Sequence, residues 1–122
     1  MMARRLEGAL LGLVLFAFSG CKRGTDVTEG GVYAVANASG NYGISKVLVA
    51  DETSVHLRSY KETFKAVPTA IDTRKLTVFI GHAPLTREGF LKDQPKLITV
   101  EKVTEPELEG YRYYQDAMSP AH

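Results

Sequence analysis

The sequence predicts a mainly β domain of the α+β class: a small, highly bent antiparallel sheet or SH3-like barrel of about five strands. Short segments rich in valine, isoleucine and leucine recur between Val32 and Val103, separated by glycine, asparagine and aspartate. One of these segments alternates apolar and polar residues, as half-buried strands do. Two later segments carry helix start signals, which predict a short helix and a C-terminal helix in addition to the sheet.

The first predicted strands are Val32–Ala36 and Tyr42–Ala50, and a loop at Asn37–Asn41 separates them. Both strands contain β-branched residues, whereas the loop contains the asparagine and glycine that turns prefer. A second turn is predicted at Asp51–Ser54, and Val55–Tyr60 follows it as the third strand. Strands joined by turns this short are expected to pair as antiparallel neighbours.

The alternation in the third strand predicts one face towards the core and one towards solvent. The residues expected to face the core are Val55, Leu57 and Ser59. The residues expected to face solvent are His56, Arg58 and Tyr60. Two further apolar segments, Leu76–Ile80 and Leu97–Val103, predict the remaining strands.

The first helix is predicted to begin at Thr86, whose hydroxyl can cap the first turn. Leu85 and Phe90 flank this residue at the spacing of a hydrophobic staple. The preceding segment Gly81–Pro84 is interpreted as a loop between strand and helix, and it places His82 where functional residues often lie.

The C-terminal helix is predicted to start near Thr104 and Glu107, which have the spacing of a capping box, and to run to about Met118. It carries an apolar and aromatic stripe at helical spacing, which predicts that it packs on the sheet. The stripe consists of Leu108, Tyr111, Tyr114 and Met118. Gly110 costs such a helix about 1 kcal/mol relative to alanine, and we interpret it as a sign of close approach to a strand.

The N-terminal segment has the pattern of an export signal. Arg4 and Arg5 precede an apolar run at Ala9–Phe18, and Ser19-Gly20-Cys21 ends the segment with small residues before the only cysteine. This ending resembles the bacterial lipobox. The resemblance implies cleavage before Cys21 and attachment of diacylglycerol and N-acyl chains, such as palmitate, to that cysteine.

This segment has two other interpretations, a membrane-spanning helix and an ordinary secretory signal. A membrane-spanning helix needs about 20 apolar residues, and the run at Ala9–Phe18 is half that length. Cleavage after Ser19 by an ordinary signal peptidase stays open, and it would leave Cys21 as a free thiol. Lys22 follows the cysteine where an aspartate would retain a lipoprotein at the inner membrane, so the resemblance implies an outer-membrane lipoprotein that faces the periplasm.

Four segments of the chain therefore differ in their expected roles. They are a signal peptide at 1–20, a lipidated cysteine with a flexible tether at 21–31, one globular domain at 32–118 and a frayed tail at 119–122.

The full chain has 15 basic and 14 acidic residues, and loss of the signal makes the two counts equal. Nucleic-acid binding is not expected, because it requires a basic surface that displaces counterions.

Several segments together look like an uncharacterised family of small bacterial proteins. They are Ile44–Asp51, Val55–Tyr60, Pro68–Thr69, Gly81–Phe90 and Glu107–Arg112. The resemblance covers about Val32 to Asp116 and implies one compact β-rich domain. It implies no catalytic residues and no reaction.

No catalytic or metal site is expected from the residue pattern. The sequence contains no nucleophile elbow, no phosphate-binding loop and no paired metal-ligand spacing. We therefore expect a non-catalytic binding module with a protein or peptide partner and no cofactor other than the lipid. The candidate partner-binding residues are His56, Arg58, Tyr60 and His82. Two alternatives stay open: a small envelope hydrolase that uses His82, and an immunity-like inhibitor of an envelope-acting toxin.

Overall fold

The computed structural model of the chain describes residues 26–119. The predicted signal peptide, the lipidated Cys21 and most of the predicted tail lie outside the described residues. The strands are β1 (Gly31–Ala36), β2 (Tyr42–Ala50), β3 (Ser54–Phe64), β4 (Val78–Thr86) and β5 (Lys96–Val100). The helices are α1 (Arg87–Lys92) and α2 (Glu109–Met118), and short 3-10 turns occur at Thr73–Lys75 and Pro106–Leu108.

The five strands form one antiparallel sheet in the order β4-β3-β2-β1-β5. The strands β1 to β4 follow one another as a meander, and β5 adds to the free side of β1. Because β4 and β5 do not pair, the sheet is open. The predicted α+β class with about five strands and two helices is confirmed, and the chain takes the open form rather than the barrel.

Side chains of the predicted turns close the meander. The side-chain oxygen of Asn37 accepts hydrogen bonds from the backbone N–H groups of Ser39 and Asn41, at 3.0 and 3.1 Å. The carboxylate of Asp51 accepts from the backbone N–H of Ser54 at 2.8 Å. Hydrogen bonds to the Asp51 carboxylate, chiefly from the backbone N–H groups of Thr53 and Ser54, lower its pKa to about 2. Both turns lie where the sequence predicts them.

Apolar residues are buried on both faces of the sheet. One cluster packs beneath α1 and consists of Tyr33, Val47, Val55, Leu57 and Phe90. A second cluster consists of Val32, Ala34, Ile44 and Tyr60. The expectation that Val55 and Leu57 face the core is confirmed. The expectation that the other side of β3 faces solvent is wrong, because His56 is 3% exposed and Tyr60 is 7% exposed.

The predicted loop at Gly81–Pro84 is instead part of β4, which continues to Thr86. A proline is compatible with this assignment because β4 is an edge strand, where a missing N–H costs no ladder bond. The register of β4 against β3 is irregular between Leu57 and Ser59, where His82 lies. Thr86 then caps α1 as predicted, accepting a hydrogen bond from the N–H of Gly89 at 2.9 Å.

The C-terminal helix packs on the sheet over part of its predicted stripe. The half-buried rings of Tyr111 and Tyr114 contact histidines of β3 and β4, whereas Met118 is 66% exposed. A Cβ atom added to Gly110 would lie 2.7 Å from the Cβ of His82. The interpretation of Gly110 as a point of close approach to a strand is therefore confirmed.

Residues within the predicted tether also contact the domain. Val27 packs against the apolar cluster beneath α1, and the N–H of Thr28 donates to the hydroxyl of Tyr33 at 3.1 Å. The carboxylate of Glu29 accepts from the N–H of Ala50 at 2.9 Å. Residues 27–29 therefore add contacts to the domain predicted at 32–118.

Candidate functional site

One face of the sheet carries most of the polar and ionisable groups near its centre. In the register of the strands, Lys46 of β2 lies between Val32 of β1 and Arg58 of β3. His56 lies two residues before Arg58 and therefore points to the same side of β3. We call this side the cleft face. The segment from Glu101 to the end of α2 passes over it and supplies the partners described below.

The amino group of Lys46 is buried on the cleft face, and the side chain is 2% exposed. Its Nζ atom lies 3.1 Å from both carboxylate oxygens of Glu107 and 3.3 Å from Oε1 of Glu101. It also donates a hydrogen bond of 2.7 Å to the backbone carbonyl of Lys102. A buried charge is tolerated only when it is paired and hydrogen-bonded in this way.

The two carboxylates around Lys46 have further partners of their own. Glu101 accepts from the backbone N–H of Thr73 at 3.0 Å and from its hydroxyl group. Glu107 accepts from the N–H of Thr104 at 2.9 Å, which is one half of the predicted capping box. Burial raises the pKa of Glu107, but the hydrogen bonds from Thr104 and Lys46 outweigh it, so this pKa lies below its usual range. The network joins β2, the 3-10 turn at Thr73–Lys75 and the approach to α2.

The histidines of β3 and β4 form a direct pair. His56 Nδ1 lies 2.9 Å from His82 Nε2, and the two rings are within 10° of parallel. Tyr111 and Tyr114 of α2 cover the pair, with ring centroids 4.8 and 5.1 Å from that of His56. The other nitrogen of His56, Nε2, is 3.3 Å from the hydroxyl oxygen of Ser54.

The surrounding hydrogen bonds indicate where the protons lie. The hydroxyl group of Ser54 donates to the carboxylate of Asp51 at 2.9 Å, so its oxygen is free to accept from His56 Nε2. In a neutral His56 ring, Nδ1 is then the acceptor, and His82 Nε2 donates to it. We infer that both imidazoles are neutral, because burial disfavours the charged form of each ring.

Burial favours the same neutral state. It is the main cause that lowers the pKa of His56, and the nearby charge of Asp51 opposes it only in part. Burial also lowers the pKa of His82, and the neighbouring His56 lowers it further. Two protonated rings would bring two positive charges together across a 2.9 Å contact.

The line from Ser54 through His56 to His82 has the order of a nucleophile, a base and an orienting group. The bonding differs from that of an activated serine, because the Ser54 hydroxyl donates to Asp51 instead of His56. Neither Ser54 nor His82 lines the cleft described next. Within residues 26–119, no group of three or more histidine, cysteine, aspartate or glutamate side chains is placed to hold a metal ion.

A cleft of about 860 Å³ opens on the same face beside the Lys46 network. Its apolar lining consists of Tyr60, Ile71, Leu76, Val78 and Pro106. Its charged lining consists of Lys46, Arg58, Asp72, Arg74, Glu101, Lys102 and Glu107. A volume of this size lies within the range of small-molecule sites, and this cleft combines an apolar wall with an unusually large number of charged groups.

The candidate residues from the sequence do not form one exposed strip. His56 and His82 are paired beneath α2, and Tyr60 belongs to a buried cluster. Arg58 is half-buried and lines the cleft. Lys46 was not among the candidates from the sequence, although it lies at alternating spacing between the buried residues Ile44 and Leu48 of β2.

Comparison of the chain with family models, curated proteins and solved structures gives no match.

The histidine pair predicts a specific loss of stability at mildly acidic pH. The histidines have lowered pKa values in the folded protein, so below about pH 6.5 the unfolded state binds more protons than the native state. The free energy of unfolding should therefore fall as the pH drops from about 7 towards 5. Urea unfolding at successive pH values measures this slope.

A double variant, His56→Phe with His82→Phe, should flatten the slope over that range. The matched control His122→Gln removes a histidine from outside the described residues and should leave the slope unchanged. Asp51 and Asp72 remain ionised throughout, because their pKa values are about 2. An equally steep slope in the double variant would show that the pair is not the source.

Proposed function

We propose that this chain is a lipid-anchored, non-catalytic binding module of the bacterial cell envelope, and that the cleft is its ligand site. The binding role is supported by the cleft and by the Arg58 side chain within it. This half-buried side chain lines the cleft. Among residues 26–119, no hydrogen bond or ion pair engages its guanidinium group, which leaves that group available to a ligand.

The proposed anchor rests on the lipobox-like sequence that ends at Cys21. Val27 already packs against the domain, so few residues separate it from that cysteine. Even when fully extended, this stretch of chain spans only about 20 Å. A lipid on Cys21 would therefore hold the domain near the membrane surface. No helix within residues 26–119 is long and apolar enough to cross a membrane.

The contacts of the ionisable groups favour binding over hydrolysis. His82 Nε2 is bonded to His56, and Tyr111 and Tyr114 pack on the pair. The amino group of Lys46 is held by two carboxylates and a carbonyl. These groups form bonds within the fold, whereas a hydrolase that used His82 would need this ring to face its substrate. The inhibitor alternative stays a prediction.

The anchor is tested by replacing Cys21 with serine. The unaltered protein should incorporate labelled fatty acid and fractionate with membranes, because two or three acyl chains give stable attachment. Cys21→Ser should abolish the label and release the protein from the membrane fraction. Unchanged labelling and fractionation in this variant would refute the lipid anchor.

The binding role predicts that small molecules occupy the cleft. In the full chain, a panel of soluble anionic, neutral and cationic compounds should include at least one that shifts the amide resonances of Thr73 and Leu76 saturably. Val78→Trp should prevent binding, because Val78 lines the cleft and a larger side chain there would fill it.

Val100→Trp is the matched control. It makes the same change on β5, at a residue that is 57% exposed and does not line the cleft. This control should leave the shifts intact. Absence of saturable shifts at Thr73 and Leu76 with every compound would contradict the binding role of the cleft.

A further inference from the structure

We propose that the ligand of the cleft is a small organic carboxylate, whose carboxylate group pairs with Arg58 and whose apolar body lies against Ile71, Leu76 and Val78. This inference rests on the proposed function, because it names the chemical class that the same cleft would bind. Three properties of the cleft favour this class of ligand: the pairing of its charged groups, the net charge of its lining and its apolar walls.

Most charged groups of the cleft already have partners. Lys46 is held between Glu101 and Glu107. The guanidinium of Arg74 forms a double hydrogen bond with Asp72, at 3.0 and 2.9 Å. Each of the three carboxylates is thereby hydrogen-bonded to a cation, and one net negative charge remains around Lys46. Among residues 26–119, the lining cations whose side chains form no ion pair are the half-buried Arg58 and the exposed Lys102.

Arg58 differs from these residues because its guanidinium has no partner among residues 26–119. It projects from the centre of β3 and lies close enough to Tyr60 to lower the pKa of that hydroxyl, although burial has the larger and opposite effect. A guanidinium is planar and presents paired N–H donors, which match the two oxygens of a carboxylate. A half-buried guanidinium without such a partner is suited to receive one from a ligand.

The net charge of the lining also favours a ligand with a single negative charge. The cationic residues that line the cleft are Lys46, Arg58, Arg74 and Lys102, and the anionic residues are Asp72, Glu101 and Glu107. The cations exceed the anions by one. A phosphate group carries more charge and would meet three neighbouring carboxylates, so repulsion disfavours it relative to a carboxylate.

The walls indicate that the carboxylate belongs to an organic molecule. Ile71 and Leu76 are half-buried and pack against the apolar cluster that contains Tyr60, and Val78 is 38% exposed at the rim. A ligand with an apolar body would remove this surface from water, which is favourable in proportion to the area covered. A bare inorganic anion would leave it exposed.

The probes for the experiment are phenylacetate, its neutral analogue phenylacetamide, and inorganic phosphate. Each is titrated into the full chain while the resonances of Thr73, Leu76 and the Arg58 side-chain Nε–H are followed. Phenylacetate should bind saturably, and both other probes should bind at least about tenfold more weakly, because each lacks either the charge or the apolar body.

Variants then test the role of the guanidinium. Arg58→Gln should weaken phenylacetate binding by roughly tenfold or more, and Arg58→Lys should retain part of it because charge remains without the paired geometry. The matched control Arg112→Gln removes an exposed arginine that pairs with Glu105 and should have no effect. A native amide spectrum for each variant shows that it is folded.

The outcomes separate this inference from the proposed function. Saturable binding of phenylacetamide or a cation in the cleft, without preference for phenylacetate, would overturn the carboxylate class and leave the binding module intact. Equal binding of phenylacetate by Arg58→Gln and by the unaltered protein would also overturn it. If no compound occupies the cleft, both the inference and the binding role fail.

Discussion

The burial of one positive charge constrains the rest of this structure. The amino group of Lys46 lies within the sheet face and depends on carboxylates from outside the sheet, Glu101 and Glu107. Removing an ammonium group from water costs several kcal/mol unless such partners are in place, so about that much free energy opposes any displacement of those carboxylates. The segment that carries them is therefore held to the centre of β2.

The buried Lys46 network positions the two features of the cleft face, which are the histidine pair and the cleft. Glu107 fixes the approach to α2, and α2 then places Tyr111 and Tyr114 over the histidine pair. Glu101 holds the backbone and hydroxyl of Thr73, which forms one wall of the cleft. The ion network therefore holds α2 over the part of the cleft face that contains the histidine pair. It also positions Thr73 at the cleft, where Arg58 lies.

Local signals in the sequence predicted most elements of the fold, although Gly81–Pro84 is part of β4 and not the predicted loop. Turn residues such as Asp51 and capping residues such as Thr86 act on their own neighbours, so their effect can be predicted without knowing the tertiary structure. The prediction that one face of β3 lies in solvent was wrong because it depends on a distant part of the chain. Alternation reports the contrast between two faces of one strand, and it cannot show that a helix more than 50 residues away covers the polar face.

The candidate site was predicted less well because its contacts join distant residues. Lys46 and Glu107 are separated by 61 positions, and no local pattern links them. His56 and His82 were both singled out, yet their contact depends on the register of β4 against β3. Gly110 was the most informative single residue, because a glycine within an otherwise regular helix indicates a close neighbour, here His82.

Hydrogen exchange in a Lys46→Met variant tests the central role of this charge most directly. The substitution leaves two carboxylates without their cation, so we expect loss of amide protection first in α2 and at Thr73–Lys75. The central strands β1 to β3 should keep greater protection, because their ladder bonds do not involve the side chain. Unchanged protection in α2, or an equal loss throughout the sheet and helix, would contradict the view that Lys46 holds this segment in place.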